Sequence, residues 1–257
     1  MADIIDYKII GEDMQLVEIE LDPGEGVRAE AGAMMYMEDG IEMQTSTGGG
    51  FFKGLKRMFV GESFFVTNFL NVANDKRHVA FGAPYPGRVI PIDLTKFGGE
   101  FICQKDSYLC SAAGIDIEIA FTKKIGVGLF GGEGFILERL VGDGFAFVHA
   151  GGMIVEKKLL PGESLRVDTG CVVGFSNTID YDIQFIGGFK NALFGGEGLF
   201  LTRITGPGVV YLQSLPFSRL ADRIYSASRF KNQGETKGID GIGGNLLGGL
   251  FGGDNRW

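Results

Sequence analysis

The chain contains two histidines, His78 and His149, and each lies nineteen residues after a phenylalanine that opens a Phe-x-Gly-Glu motif. Gln213 stands at the same distance from a third such phenylalanine. Two imidazoles and an amide brought to one point would form a metal or anion site, since neutral imidazole nitrogen ligates transition metals well. The set lacks a carboxylate or thiolate to anchor a cation firmly. The favoured reading is therefore that His78, His149 and Gln213 end equivalent strands, hydrogen-bonded or exposed, with no metal assigned.

The motifs themselves carry a second recurring chemistry, in Phe59, Gly61 and Glu62, in Phe130, Gly132 and Glu133, and in Phe194, Gly196 and Glu197. A carboxylate placed just after a glycine caps backbone N–H groups where a turn enters a strand. Strand alternation puts Arg139 and Arg203 on the same side as that glutamate in the second and third copies, where the first copy has Asn68. A structural turn or ion-pair role is preferred over paired-carboxylate catalysis. No G-x-S-x-G, no G-K-[ST] phosphate loop, no H-E-x-x-H and no cupin-type H-x-H with a following glutamate is present. No catalytic residue and no cofactor are assigned, and the balance leans away from an enzyme.

Positioning these residues falls to short strands. Segments such as "SFFVTNF", "GFILERL", "FAFVHA", "IDIEIAF" and "GVVYLQ" are rich in β-branched and aromatic residues and are punctuated by Gly, Pro, Asp or Asn. Glycine numbers 43 among 257 residues, more than twice the usual share of about 7%, so turns are frequent. Upstream of the motifs, "PGEGVRAEAGAMM", "FGGEFICQKDSYLC" and "PGESLRVDTGCVV" repeat at nearly constant offsets. The pattern predicts an all-β domain over residues 1–230, built of three modules at about 21–94, 95–159 and 160–224. Modules this small bury little surface alone, so they are expected to share one core with pseudo-threefold symmetry, as sandwiches or β-helical barrels, each closing the edge of the next. One short helix is expected in "PFSRLADRIYSASRF", where Leu220, Ile224 and Tyr225 share a face after Pro216. Residues 231–257 are glycine-rich and read as a flexible tail.

The "PGE" turns, the triple Phe-x-Gly-Glu modules and the Gly/Leu-rich ending resemble an uncharacterised bacterial and archaeal family. It is related to the mitochondrial proteins named for altered inheritance of mitochondria. The resemblance covers about residues 1–225 and implies a TRAP-like double-stranded β-helix, after the tryptophan-RNA-binding attenuation protein. It carries over no catalytic residue.

A formal net charge of −8, from 24 basic and 32 acidic residues, argues against nucleic-acid binding. Cys103, Cys110 and Cys171 show no C-x-x-C spacing, so three reduced and mostly buried thiols are expected. The N-terminal "MADIIDYKII" has no secretory pattern and no apolar run reaches the ~18 residues that cross a bilayer, which points to a cytoplasmic protein. Phe51, Phe52, Lys53, Lys56 and Arg57 form the candidate interaction surface, read as a hairpin in preference to a peripheral membrane contact. The leading functional expectation is a non-enzymatic, homo-oligomeric interaction or scaffold protein with a protein partner. The alternatives are a cupin-like enzyme that binds metal or a small molecule, and an RNA-binding protein by analogy of fold.

Overall fold

A computed structural model describes residues 1–30, 32–45, 66–123, 134–186 and 199–236. Among the described residues the fold is all-β with one α-helix, as expected, and every strand ladder is antiparallel. After β1 (Asp6–Ile10), the eighteen strands among the described residues fall into three groups of six. The first group is β2 (Leu16–Leu21), β3 (Gly26–Glu30), β4 (Met34–Met37), β5 (Ile41–Thr45), β6 (Val66–Asn71) and β7 (Arg77–Gly82). The second is β8 (Gly87–Asp93), β9 (Glu100–Gln104), β10 (Tyr108–Ala112), β11 (Asp116–Lys123), β12 (Phe135–Val141) and β13 (Phe145–Gly151). The third is β14 (Ile154–Leu159), β15 (Ser164–Asp168), β16 (Val172–Ser176), β17 (Asp180–Ile186), β18 (Leu199–Thr205) and β19 (Gly208–Gln213).

The same pairings recur in each group. The sixth strand lies between the first and the third, and the fifth lies between the second and the fourth. Groups join where the second strand of one pairs with the third strand of the next, as β3 with β10 and β9 with β16. The groups begin one strand earlier than the expected modules, because β8 pairs with β13 of its own group. The "PGE" turn thus links a group's first two strands and is not a boundary.

In the first two groups a glycine permits the turn between third and fourth strands; the third group has Thr178 at that place. Gly40 and Gly114 have φ of 97° and 92°, which a side chain resists, and the N–H groups of Ile41 and Ile115 then donate back to the carbonyls of Glu38 and Ala112. Strand β2 alternates as a half-exposed strand should, with Val17, Ile19 and Leu21 inward. Strands β10, β13 and β16 are buried on both faces. The interior is divided: one cluster includes Phe69, Phe81, Phe101, Tyr108 and Phe147, the other Phe135, Leu137, Phe175, Ile204 and Val210. The sheet containing β9 and β12 contributes to both, with Phe101, Cys103 and Leu140 in one cluster and Ile102, Phe135 and Leu137 in the other. A single shared core is therefore replaced by two clusters. Edge closure is also partial, for among the described residues each of the four sheets keeps two edge strands, β4 and β15 among them.

All three cysteines are free; Cys103 and Cys110 are buried and Cys171 is half-buried. The β unit ends at Pro216, and a second compact unit begins at Phe217. Its helix, α1 (Phe217–Thr236), follows Pro216 as expected but extends past residue 230 into the stretch read as tail. Within α1, Leu220 is half-buried while Ile224 and Tyr225 are exposed. The remainder of the expected tail lies outside the described residues. Among the described residues no helix is long and apolar enough to cross a membrane.

Candidate functional site

The ladders test the equivalence of His78, His149 and Gln213 directly. In the three sixth strands, Phe81, Val148 and Leu212 pair with Met34, Tyr108 and Val172, the matching positions just before the bulge of each third strand. His149 and Gln213 follow Val148 and Leu212, so they are equivalent; the residue that follows Phe81 is Gly82. His78 is displaced by four positions. The reason is local: Phe81 follows Thr67 by 14 residues (81−67), whereas Val148 follows Glu138 and Leu212 follows Thr202 by 10 (148−138, 212−202), so four extra residues lie in the passage from β6 into β7. The three side chains fall in three different sheets, and among the described residues no group of three His, Cys, Asp or Glu side chains is placed to hold a metal ion.

Each of the three has a distinct environment. His78 is partly exposed between Glu38, 3.2 Å from Nδ1, and Glu20, 3.3 Å from Nε2. Partial burial pulls its pKa down, but Glu38, Glu18 and Glu20 outweigh this and leave it raised. Gln213 is buried and satisfied, accepting from Gly151 N at 2.8 Å and donating to the Gly170 carbonyl at 2.9 Å. His149 is buried with neither ring nitrogen hydrogen-bonded. Its ring meets Tyr85 edge-on at 4.6 Å between centroids, and a Cβ added to Gly87 would lie 2.6 Å from its Cε1 and Nε2. Burial lowers its pKa to about 4, so the imidazole is neutral at pH 7.

Glu138 is a buried residue that the sequence reading missed. It lies on β12 opposite Cys103, fully enclosed, and neither carboxylate oxygen has a hydrogen-bond partner. Burial pushes its pKa well above the carboxylate range; Lys105 opposes this, and Glu30 and Asp106 add to it. Glu30, at the exposed end of β3, has a pKa raised to about 7, by desolvation first and the Asp106 charge second. In the other two groups Thr67 and Thr202 occupy the ladder position of Glu138. Thr202 lies 3.0 Å from Thr169 of the short turn beside it, oxygen to oxygen. Isolated in an apolar run, Glu138 reads in sequence as a solvent-facing strand residue. Only the burial of both faces of β12 distinguishes it.

Strand β4 exposes three consecutive large side chains. Met35 is 64% exposed, Tyr36 39% and Met37 37%, on a strand whose outer edge has no described partner. In the three-stranded sheet, the edge strand β15 exposes Ser164 and Arg166 and likewise has no described strand on its outer side. Arg139 pairs with Glu118 across β11 and β12 at 2.8 Å. Phe59, Gly61, Glu62, Phe130, Gly132, Glu133, Phe194, Gly196 and Glu197 lie outside the described residues, as do Phe51, Phe52, Lys53, Lys56 and Arg57.

Residues 7–215 match the family model described as "Mitochondrial biogenesis AIM24". An uncharacterized protein of Streptococcus pyogenes serotype M6 is 28% identical over 214 residues, covering 80% of this chain and 84% of its own length. The crystal structure of a Streptococcus pyogenes protein matches with a TM-score of 0.69 at 24% identity, over 87% of this chain and 99% of that one, a likeness of fold.

Proposed function

This chain belongs to the AIM24 family, described as mitochondrial biogenesis, and from that premise we propose that it is a self-associating interaction or scaffold protein that performs no catalysis. One observation carries the reading: β4 presents three exposed apolar side chains on a strand edge with no described partner. Proteins ordinarily blunt such edges with charge, proline or covering segments, because an open edge templates pairing with another chain. The finer architecture belongs to the same proposal. Three groups with identical pairing support a TRAP-like, double-stranded β-helical winding in which the modules are related by a pseudo-threefold repeat. Cytoplasmic residence is part of it too, supported by three free thiols.

Sedimentation velocity over a hundredfold dilution series tests the reading. It predicts species heavier than one chain that dissociate on dilution; a single-chain species at every concentration contradicts it. The metal-dependent alternative draws on His149, a neutral imidazole that is a competent ligand. Its test is the metal content of the purified protein and of a His78→Ala/His149→Ala variant. RNA binding is opposed by the excess of acidic residues.

A further inference from the structure

Two junctions between strand groups are made inside the chain, and they share one geometry. At the first, Ala29 stands opposite Cys110, Arg28 opposite Ser111 and Val27 opposite Ala112. At the second, Cys103 stands opposite Gly174, Ile102 opposite Phe175 and Phe101 opposite Ser176. Both join the second strand of a group to the third strand of the next. Strand β15 is the second strand of the last group and β4 the third strand of the first, and each lacks a described partner on the side its counterparts use.

The registers of these edges follow from ladders they share with those counterparts. Val167 sits opposite Thr202 as Ala29 sits opposite Thr67 and Cys103 opposite Glu138. Tyr36 sits opposite Ala80 as Cys110 sits opposite Phe147 and Gly174 opposite Tyr211. We infer that β15 of one copy pairs antiparallel with β4 of a second copy, with Val167 opposite Tyr36, Arg166 opposite Met37 and Leu165 opposite Glu38. This rests on the self-association proposed above and adds the surface, the partner and the register.

The polar contacts of the first internal junction can be repeated at this one. Arg28 donates from Nη1 to the Ile115 carbonyl at 3.0 Å, across the junction, just past the end of β10. Arg166 occupies the place of Arg28, and Ile41 that of Ile115, each isoleucine following the same backbone-closed turn. The Ala113 N–H donates to the Gly26 carbonyl at 2.9 Å, and the corresponding pair is Asp39 and Ser164. Exposed Met35 and Met37 lose water in the process. Because the two edges differ, the contact is heterologous and propagates into a ring or a filament.

The test uses full-length chains bearing Met37→Cys or Arg166→Cys, both at exposed positions. Residues directly opposite in a ladder have Cβ atoms about 4.5–5.5 Å apart, near disulfide range. On mild oxidation the mixture is expected to give a covalent dimer joined between positions 37 and 166, absent from either variant alone. Arg166→Ala is expected to raise the dissociation constant about tenfold, through loss of one charge-assisted hydrogen bond. Wild-type oligomers without a 37–166 disulfide overturn this inference and leave self-association standing. A wild-type protein that stays a single chain overturns both. A 37–166 disulfide formed within one chain of the doubly substituted protein also overturns it, since the edges would then close on each other.

Discussion

His149 gives the account a quantitative pH dependence. Its imidazole is buried, edge-on to Tyr85 and without a hydrogen-bond partner, and its pKa falls from 6.5 to about 4 on folding. The unfolded chain therefore binds a proton at this residue between those values while the folded chain does not. Stability is unaffected above pH 7 and falls as pH drops below 6.5. With these two values the loss from this one group is about 2 kcal/mol at pH 5 and about 3 kcal/mol at pH 4. His149→Gln removes the titration and installs the residue found at the equivalent position, where Gln213 is hydrogen-bonded. Urea denaturation of both proteins at pH 7.5 and pH 5 is the assay, because few carboxylates are protonated at pH 5. Wild type is expected to lose about 2 kcal/mol more than the variant between these conditions. Equal losses, within about 0.5 kcal/mol, would refute the claim that the folded protein holds this imidazole neutral.

Three further substitutions probe the polar interior and the junctions. Burial disfavours ionisation of Glu138 in the fold, whereas the unfolded chain ionises near 4.5, so Glu138→Gln should gain stability relative to wild type as pH rises above that value. The relative gain grows by up to about 1.4 kcal/mol per pH unit, read by denaturation at pH 5, 6 and 7. The raised pKa of His78 has the opposite consequence from that of His149: its contribution is fully present below pH 6.5 and lost as pH rises through the folded value. At this partly exposed site His78→Ala should cost under about 1 kcal/mol at pH 5.5 and almost nothing at pH 8.5. Gly174→Ala would place a Cβ 2.6 Å from Cε1 of Phe101 and 2.7 Å from the Ile102 carbonyl, at the junction of β9 and β16. Thermal unfolding should show a loss of about 1–3 kcal/mol.

The repeat was legible because strand pairing leaves a mark on sequence. A recurring motif, glycine at fixed turn positions and alternating apolar residues reappear wherever the same ladder is rebuilt, and they predicted the all-β class. The strand groups begin one strand before the expected module starts, since Pro and Gly mark turns both within and between groups. The histidine equivalence failed for a similar reason. An ungapped count carries His78 through β6 correctly, as Thr67, Glu138 and Thr202 show, and then meets the four extra residues in the passage from β6 into β7. Glu138 was invisible because one-dimensional alternation cannot tell a solvent face from a second buried face. The open edges of β4 and β15 were equally hidden, for edge status depends on which strands are neighbours in the sheet, and local composition does not carry that information.

Strands β4 and β15 are the edges through which, on this proposal, copies of the chain meet. Hydrogen exchange measured by mass spectrometry on segments 34–38 and 164–168, at low and high protein concentration, addresses it most directly. Exchange should slow in both segments together as concentration rises, while the internal junction strands β3 and β10 keep the same protection throughout. Exchange in the two segments that is fast and independent of concentration would contradict the account.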